Sequence, residues 1–470
     1  MENRSKKLGT APIPSLLLEQ AIPASVGILV MSIYGIVDTI FVGKFVGALG
    51  IGATTVVFPI TLLIGSIGMA IGVGGASIIS RALGGNKPEK AQLVFGNQIV
   101  LTLVLAASIV LLSVFFEKQI LNLFGAKGDL IPLAQTYFRV IVFGIPFLAI
   151  SMMSNNVIRS EGRARIAMLV MMIPALFNIL LDFIFIVLWD MGIAGAGWAT
   201  SISYATSASF ASWYFLTKRS ELRIIPQNLR LQLPIVKEIF SIGSITFARQ
   251  GTIALLFIVL NNSLYYYGGE IAISTYGILN RVMMMVNFPV LGVTQGFLPI
   301  AGYNYGAQNW KRVKESIKTA IFYGTGVAVI VFAAVMVFTQ ALVGIFTSDE
   351  MLLLQTPNAI KIAMLATPLL CMQLIGAAYY QAIGKALPAL LLTLTKQGFC
   401  LIPLILLLPP IFGIYGIWYA FPIADLLTAG IVMRYLQKGV KQLNLKAQEK
   451  QKTQTLVTSL PDSQQTPIEL

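Results

Sequence analysis

Hydrophobic positions in this chain form long unbroken runs, separated by short polar connections, with little of the alternating pattern that marks strands. A helix rising 1.5 Å per residue needs about 20 apolar residues to cross a bilayer core. Twelve runs meet or approach that length, at 16–43, 54–80, 93–116, 131–157, 166–189, 193–216, 240–267, 271–301, 317–340, 358–383, 387–411 and 414–436. Each is predicted to be a membrane-spanning α-helix. The connection over 217–238 is charged and interrupted by proline, so it is expected to stay outside the bilayer. The end of the chain, 439–470, is polar, rich in Gln and without apolar periodicity; disorder is expected there.

The chain also matches itself. With an offset of 222, Gly74 falls on Gly296, Gly84 on Gly306, and Gly162 on Gly384; GIAGAGWA at 192–199 matches GIYGIWYA at 413–420 at an offset of 221. Recurrence of one spacing at separate places is the mark of internal duplication. The expected architecture is an all-α integral membrane protein with twelve transmembrane helices in two pseudo-symmetric six-helix lobes. Residues 1–14 would form an N-terminal segment, 15–216 the first lobe, 217–238 the linker and 239–438 the second lobe. Six spans return the chain to its starting side, so the lobes would have the same orientation, a design suited to rocking about a site near the midplane.

Composition narrows the chemistry. Of 470 residues, 56% are hydrophobic and 11% charged, under half the charged fraction of an ordinary soluble domain, about 25%. The net charge of +14 would suit nucleic acid if it were clustered, but it is distributed by connection. Arg4, Lys6 and Lys7, then Arg81, Lys87 and Lys90, then Arg159, Arg163 and Arg165 lie at alternate ends of the spans, and the linker and the tail continue the series. Lys44, Lys118 and Lys127 mark the opposite side. The positive-inside rule puts both termini in the cytoplasm of an inner (plasma) membrane protein. The start MENRSKK leads into a long apolar run with no small-residue cleavage pattern, so an uncleaved first helix is expected. With no His, imidazole relays, His-based zinc sites and Ser-His-Asp triads are excluded. Cys371 and Cys400 lie in apolar runs and are expected to be buried small residues.

Ionisable residues at membrane depth cost at least ~2.5–3.5 kcal/mol and are functional candidates by default. Asp38 lies in the first span and Asp182 in the fifth. Tyr34 precedes Asp38 by four residues, and Asn178 precedes Asp182 by four, so each helix presents an oxygen-bearing pair on one face. Such oxygens suit a hard cation such as Na+, or a shared proton. At the repeat offset these acids meet Leu260 and Leu404. The second half instead carries Arg249, Arg281, Lys361, Lys396 and Asp425 in or near its spans, with Lys396 and Asp425 open to either an ion pair or a cavity role. Pro23, upstream of Asp38, is a point at which the first helix can bend. Met-rich runs at 168–172 and 283–286 offer adaptable apolar walls or ordinary packing.

The first-span sequence PASVGILVMSIYGIVDTIFVG, the loop SRALGGNKPEKA and the fifth-span sequence FNILLDFIF, in this order and spacing, resemble the multidrug and toxic compound extrusion (MATE) family, in its DinF-type, MepA-like branch. The resemblance covers about residues 15–438 and implies an antiporter, not an enzyme, that exports organic and often cationic compounds in exchange for H+ or Na+ by alternating access. It also implies a first-lobe coupling site at Asp38, Asn178, Asp182 and Thr200 with Tyr34 nearby, and Asn155 as a cavity amide; the Met-rich run and the place of Arg281 well inside the eighth span add Met171 and Arg281 as candidates for a substrate cavity. No cofactor beyond the coupling ion is expected; the partners are small organic substrates and lipid, and the unit is a monomer. Acids within the seventh to tenth spans, on which a second branch of the family relies, are missing, Glu270 lying at a loop.

Two other readings stay open. A lipid-linked oligosaccharide flippase of related fold would need a cationic groove, to which Arg249, Arg281 and Lys396 are the available contributors. A membrane-embedded transferase would need acidic clusters or His, and neither is present.

Overall fold

The computed structural model describes residues 5–124, 128, 130–217 and 219–458. Arg4 and Lys127, used above in the charge pattern, Lys218 of the linker, and the tail segment 459–470 lie outside the described residues. The described chain is all-α, in long helices: α1 (Ile13–Phe41), α2 (Ala48–Gly84), α3 (Pro88–Phe115), α4 (Leu130–Ser160), α5 (Ala164–Asp182), α6 (Gly192–Leu216), α7 (Leu233–Gly306), α8 (Trp310–Phe346), α9 (Glu350–Ala363), α10 (Leu370–Ala382), α11 (Ala386–Leu394) and α12 (Ile414–Thr458). Among the described residues, nine helices are long and apolar enough to cross a membrane, and ten if α9 and α10, bent by 43° at their junction, count together. The protein is therefore a multi-span membrane protein.

Local chemistry explains the ends. Pro14 and Pro88 sit in the first turns of α1 and α3, where a missing N–H costs no hydrogen bond. Asn309 and Asp349 cap α8 and α9 by accepting from the amides of Arg312 and Leu352 at 3.4 and 3.0 Å. The 74-residue run of α7 is broken at Gly269, where φ is +64°. On α1, Leu18, Ile22, Leu29, Ile33, Ile36 and Ile40 are exposed along the helix, a face fit for lipid, whereas Leu16, Leu17, Gln20, Ala21 and Ala24 are buried. α2 packs against α4 and α7, and α1 against α5 and α7.

Left-handed backbone recurs along the chain at the spacing of the self-match. Gly47 and Gly269 (φ +92° and +64°), Asn86 and Gln308 (+53° and +55°), and Gly162 and Gly384 (+76° and +79°) are each 222 apart, and Gly192 and Gly413 (+55° and +58°) are 221 apart. The end of the molecule that bears these 86 and 308 turns is tightly closed. A Cβ on Gly84 would overlap the carbonyl oxygen of Tyr303, and one on Gly306 would overlap that of Arg81, two contacts that map onto each other at the same offset. Ser77 Oγ donates to the Gln381 carbonyl at 2.7 Å, and Arg312 Nη2 donates to the Ala11 carbonyl at 2.6 Å.

Two expectations about the polar segments change. Helix α12 continues through 439–458 instead of becoming irregular at 439; Leu443 is buried, Lys446 Nζ donates to Tyr305 Oη at 3.0 Å, and Lys314 reaches Asn444 at 2.9 Å. Tertiary contacts hold a helix that composition alone would leave unfolded. Arg159, grouped above with loop cations, is only 5% exposed, because it sits in the last turn of α4 and points inward. Cys371 and Cys400 are buried free thiols.

Candidate functional site

Helices α1, α4, α5 and α6 bring polar side chains together within the first half of the chain. Asp38 of α1 and Asp182 of α5 face each other, with their carboxyl groups within direct interaction range. Asp182 is fully buried, and neither of its oxygens receives a hydrogen bond; Oδ1 of Asp38 is likewise buried without a donor. Asn178, one turn before Asp182, donates through Nδ2 to Thr200 Oγ1 of α6 at 3.3 Å, leaving its own Oδ1 without a donor. Four acceptor oxygens on three side chains therefore lack partners, and each buried unpaired acceptor costs about 1–3 kcal/mol. A proton shared between the carboxyls, or one monovalent cation among the oxygens, would remove that cost.

Wide helical turns lie beside both acids. The regular helix α5 ends at Asp182 and continues as a π-helical turn over Phe183–Leu188; α1 continues as another over Val42–Val46, four residues after Asp38. Such turns leave backbone groups poorly matched and collect at functional sites.

Tyr34 is half-buried and within electrostatic range of Asp38, as its place one turn upstream requires. Sequence reasoning missed two further phenols. Tyr137 of α4 and Tyr204 of α6 also lie within range of Asp38. Tyr204 stands four residues after Thr200, so the helical spacing that paired Asn178 with Asp182 was available to find it; nothing in the sequence singles out Tyr137.

Other candidates lie apart from this cluster. Asn155 and Met171 gather around Arg159: Arg159 Nε donates to Asn155 Oδ1 at 3.0 Å, Asn155 Nδ2 donates to the Ala167 carbonyl at 2.6 Å, and Met171 Sδ is 3.6 Å from Arg159 Nη2. Arg281 is exposed, its guanidinium 5.8 Å from the Phe346 ring centre. Pro23 is buried within an unbroken α1. Lys396 and Asp425 form an ion pair at 2.6 Å, with Gln373 Nε2 donating to Asp425 Oδ1 at 3.0 Å. A flippase groove is thus missing one of its three cations, since Lys396 is already paired.

Glu161, between α4 and α5, is also buried. It accepts from Tyr214 Oη and Ser220 Oγ at 2.7 Å each, and from the amides of Glu221 and Leu222 at 2.8 and 3.0 Å, which ties the chain after α6 to the α4–α5 turn. Burial raises its carboxyl above the usual 4.5, outweighing the hydrogen bonds from Tyr214, Ser220 and Leu222 that pull it down.

The MatE family model matches two segments of near-equal length, residues 23–184 and 247–407. The multidrug export protein MepA of Staphylococcus aureus (strain NCTC 8325 / PS 47) is 28% identical over 422 residues, covering 89% of this chain and 92% of its own. A solved structure of a MATE protein in its bent conformation superposes with a TM-score of 0.89 at 24% identity, covering 95% of this chain and 99% of its own. A MOP superfamily transporter from Pyrococcus furiosus gives 0.87 at 24% identity, with 94% and 99% covered. Because the family model accounts for well over half of the residues, this chain belongs to the MatE family and is a secondary transporter of the MATE type.

Proposed function

We propose that the protein exports organic compounds, often cationic, across the plasma membrane in exchange for H+ or Na+ by alternating access. The observation that carries this reading is the facing pair Asp38 and Asp182, whose buried oxygens lack donors. A transporter coupled to an ion needs a site whose occupancy changes the balance between two conformations, and an acceptor cluster this poor in donors has unequal stability when filled and empty. Asn178 and Thr200 complete the coupling set, and Tyr34 borders it. The resemblance of the chain to a multidrug export protein supports varied organic substrates.

The same reading gives twelve spans in two six-helix lobes. Dividing α7 at Gly269, counting α9 with α10 and admitting the more polar α6 brings the total to twelve. The repeated left-handed positions and the paired family matches support the duplication. The basic residues put both termini in the cytoplasm, so the closed end would face inward and the protein would be open to the outside.

Efflux from proteoliposomes under an imposed pH gradient, and separately under an imposed sodium gradient, tests the reading. Drug export driven by one of these gradients is expected from the wild type and not from Asp38→Asn. Export by Asp38→Asn at the wild-type rate would remove the coupling assignment.

A further inference from the structure

A small cavity lies between the two halves of the chain, at the closed end, apart from the Asp38 cluster. Its walls come in pairs related by the 222-residue offset: Val73 with Gln295, Ser77 with Pro299, and Arg159 with Gln381. A cavity built from repeat-related pairs sits on the axis that relates the repeats. The pairing holds in position and not in chemistry: Gln295 stands opposite a valine, Ser77 opposite a proline, and the guanidinium of Arg159 opposite the amide of Gln381.

Arg159 is the unusual member. Its side chain is buried, its Nε is used by Asn155, and Nη2 has the Met171 sulfur, a weak acceptor. Nη1 has no hydrogen-bond partner, and among the described residues Arg159 forms no ion pair. The guanidinium keeps its charge in a protein, and a buried unpaired charge costs several kcal/mol. Two more donors line the same space: the side-chain amides of Gln295 and Gln381, neither of which is used in a hydrogen bond within the described chain, Gln381 taking part only through its backbone. The cavity measures about 30 Å³. That admits a single small ion and is far below the ~300–1,000 Å³ of a drug pocket.

We propose that this cavity is a binding site for one small monovalent anion, of chloride or formate size, held by Arg159 Nη1 and the amides of Gln295 and Gln381. Because the donors come from both halves, the anion ties the halves together and favours the conformation in which this end is closed. A second arginine at 381 would have placed two cations across the axis; glutamine there leaves one positive charge for one anion. The inference rests on neither the coupling site nor the nature of the exported compound.

Thermal unfolding of the full-length protein in nanodiscs tests it, with sodium and ionic strength fixed while gluconate is replaced by chloride or formate. Gluconate is too large for the cavity. The expected result is a saturable rise in Tm of roughly 2–4 °C with either small anion, the response of a ligand that binds only the folded state. Arg159→Gln should lose that response, and Arg159→Gln/Gln381→Arg, which moves the charge across the axis, should regain it. Equal Tm in chloride and gluconate for the wild type overturns the proposal, and so does a full response in folded Arg159→Gln. Should that variant not fold, the wild-type comparison decides alone. Sodium is constant throughout, so failure here leaves the coupling reading untouched.

Discussion

Each half of the chain buries acid within its helices, and the two halves treat it in opposite ways. In the first half, Asp38 and Asp182 face one another and leave oxygens without donors. In the second, Asp425 receives the Lys396 ammonium at 2.6 Å and the Gln373 amide at 3.0 Å. The second arrangement carries its own counter-ion on a covalent tether and needs nothing from outside. Among the described residues the first has no cationic partner, and on the proposed reading its state depends on what the two aqueous phases supply. On the proposed reading, the first half holds a site for exchange where the second holds a fixed ion pair.

The strongest way to break this comparison is Asp182→Asn. Gradient-driven export in proteoliposomes should fall to background, with the protein still extracted as a folded monodisperse species; export near the wild-type rate would make the two acids equivalent. Lys396→Met should behave in the opposite sense. Removing one partner of a buried pair costs about 3–5 kcal/mol, so denaturation should show a marked loss of stability. The double variant Lys396→Met/Asp425→Leu should recover most of it, with export per folded molecule retained. Loss of export in the double variant would show that the second pair also takes part in coupling.

Thr200→Val leaves the Asn178 amide without its acceptor and should cost about 0.5–1.5 kcal/mol with a weakened response to the driving ion, read as a higher ion concentration for half-maximal export. Glu161, a buried acid outside the spans, serves as a control for both halves. Its folded-state affinity for a proton exceeds that of the unfolded chain. Its contribution is therefore complete below pH 4.5 and is lost as pH rises through the higher folded value. Stability measured against pH should flatten over that interval in Glu161→Gln while the ion dependence of export is unchanged.

Much of this contrast was legible in the residues themselves. Spans can be read because lipid forces every backbone polar group into a helix and every outward side chain to be apolar. Asp38 and Asp182 stood out for the same reason, as did the absence of acid at Leu260 and Leu404. What escaped depends on tertiary neighbours. Tyr137 looks like any other membrane tyrosine until α4 is laid against α1, and Arg159 and Glu161 look like loop charges because they lie at a helix end. Whether a charge at such a place meets water or protein is decided by what packs over it. Polar composition after 439 misled in the same way, since contacts from Tyr305 and Lys314 hold that helix.

The reciprocal approach of Gly84 to Tyr303 and of Gly306 to Arg81 offers a practical handle. Neither close contact leaves room for even a methyl group. Gly84→Ala with Gly306→Ala would act as a pair of wedges driven into a closed door, holding that end apart. Such a variant should accumulate in the opposite conformation, which makes it a starting point for capturing the other half of the transport cycle.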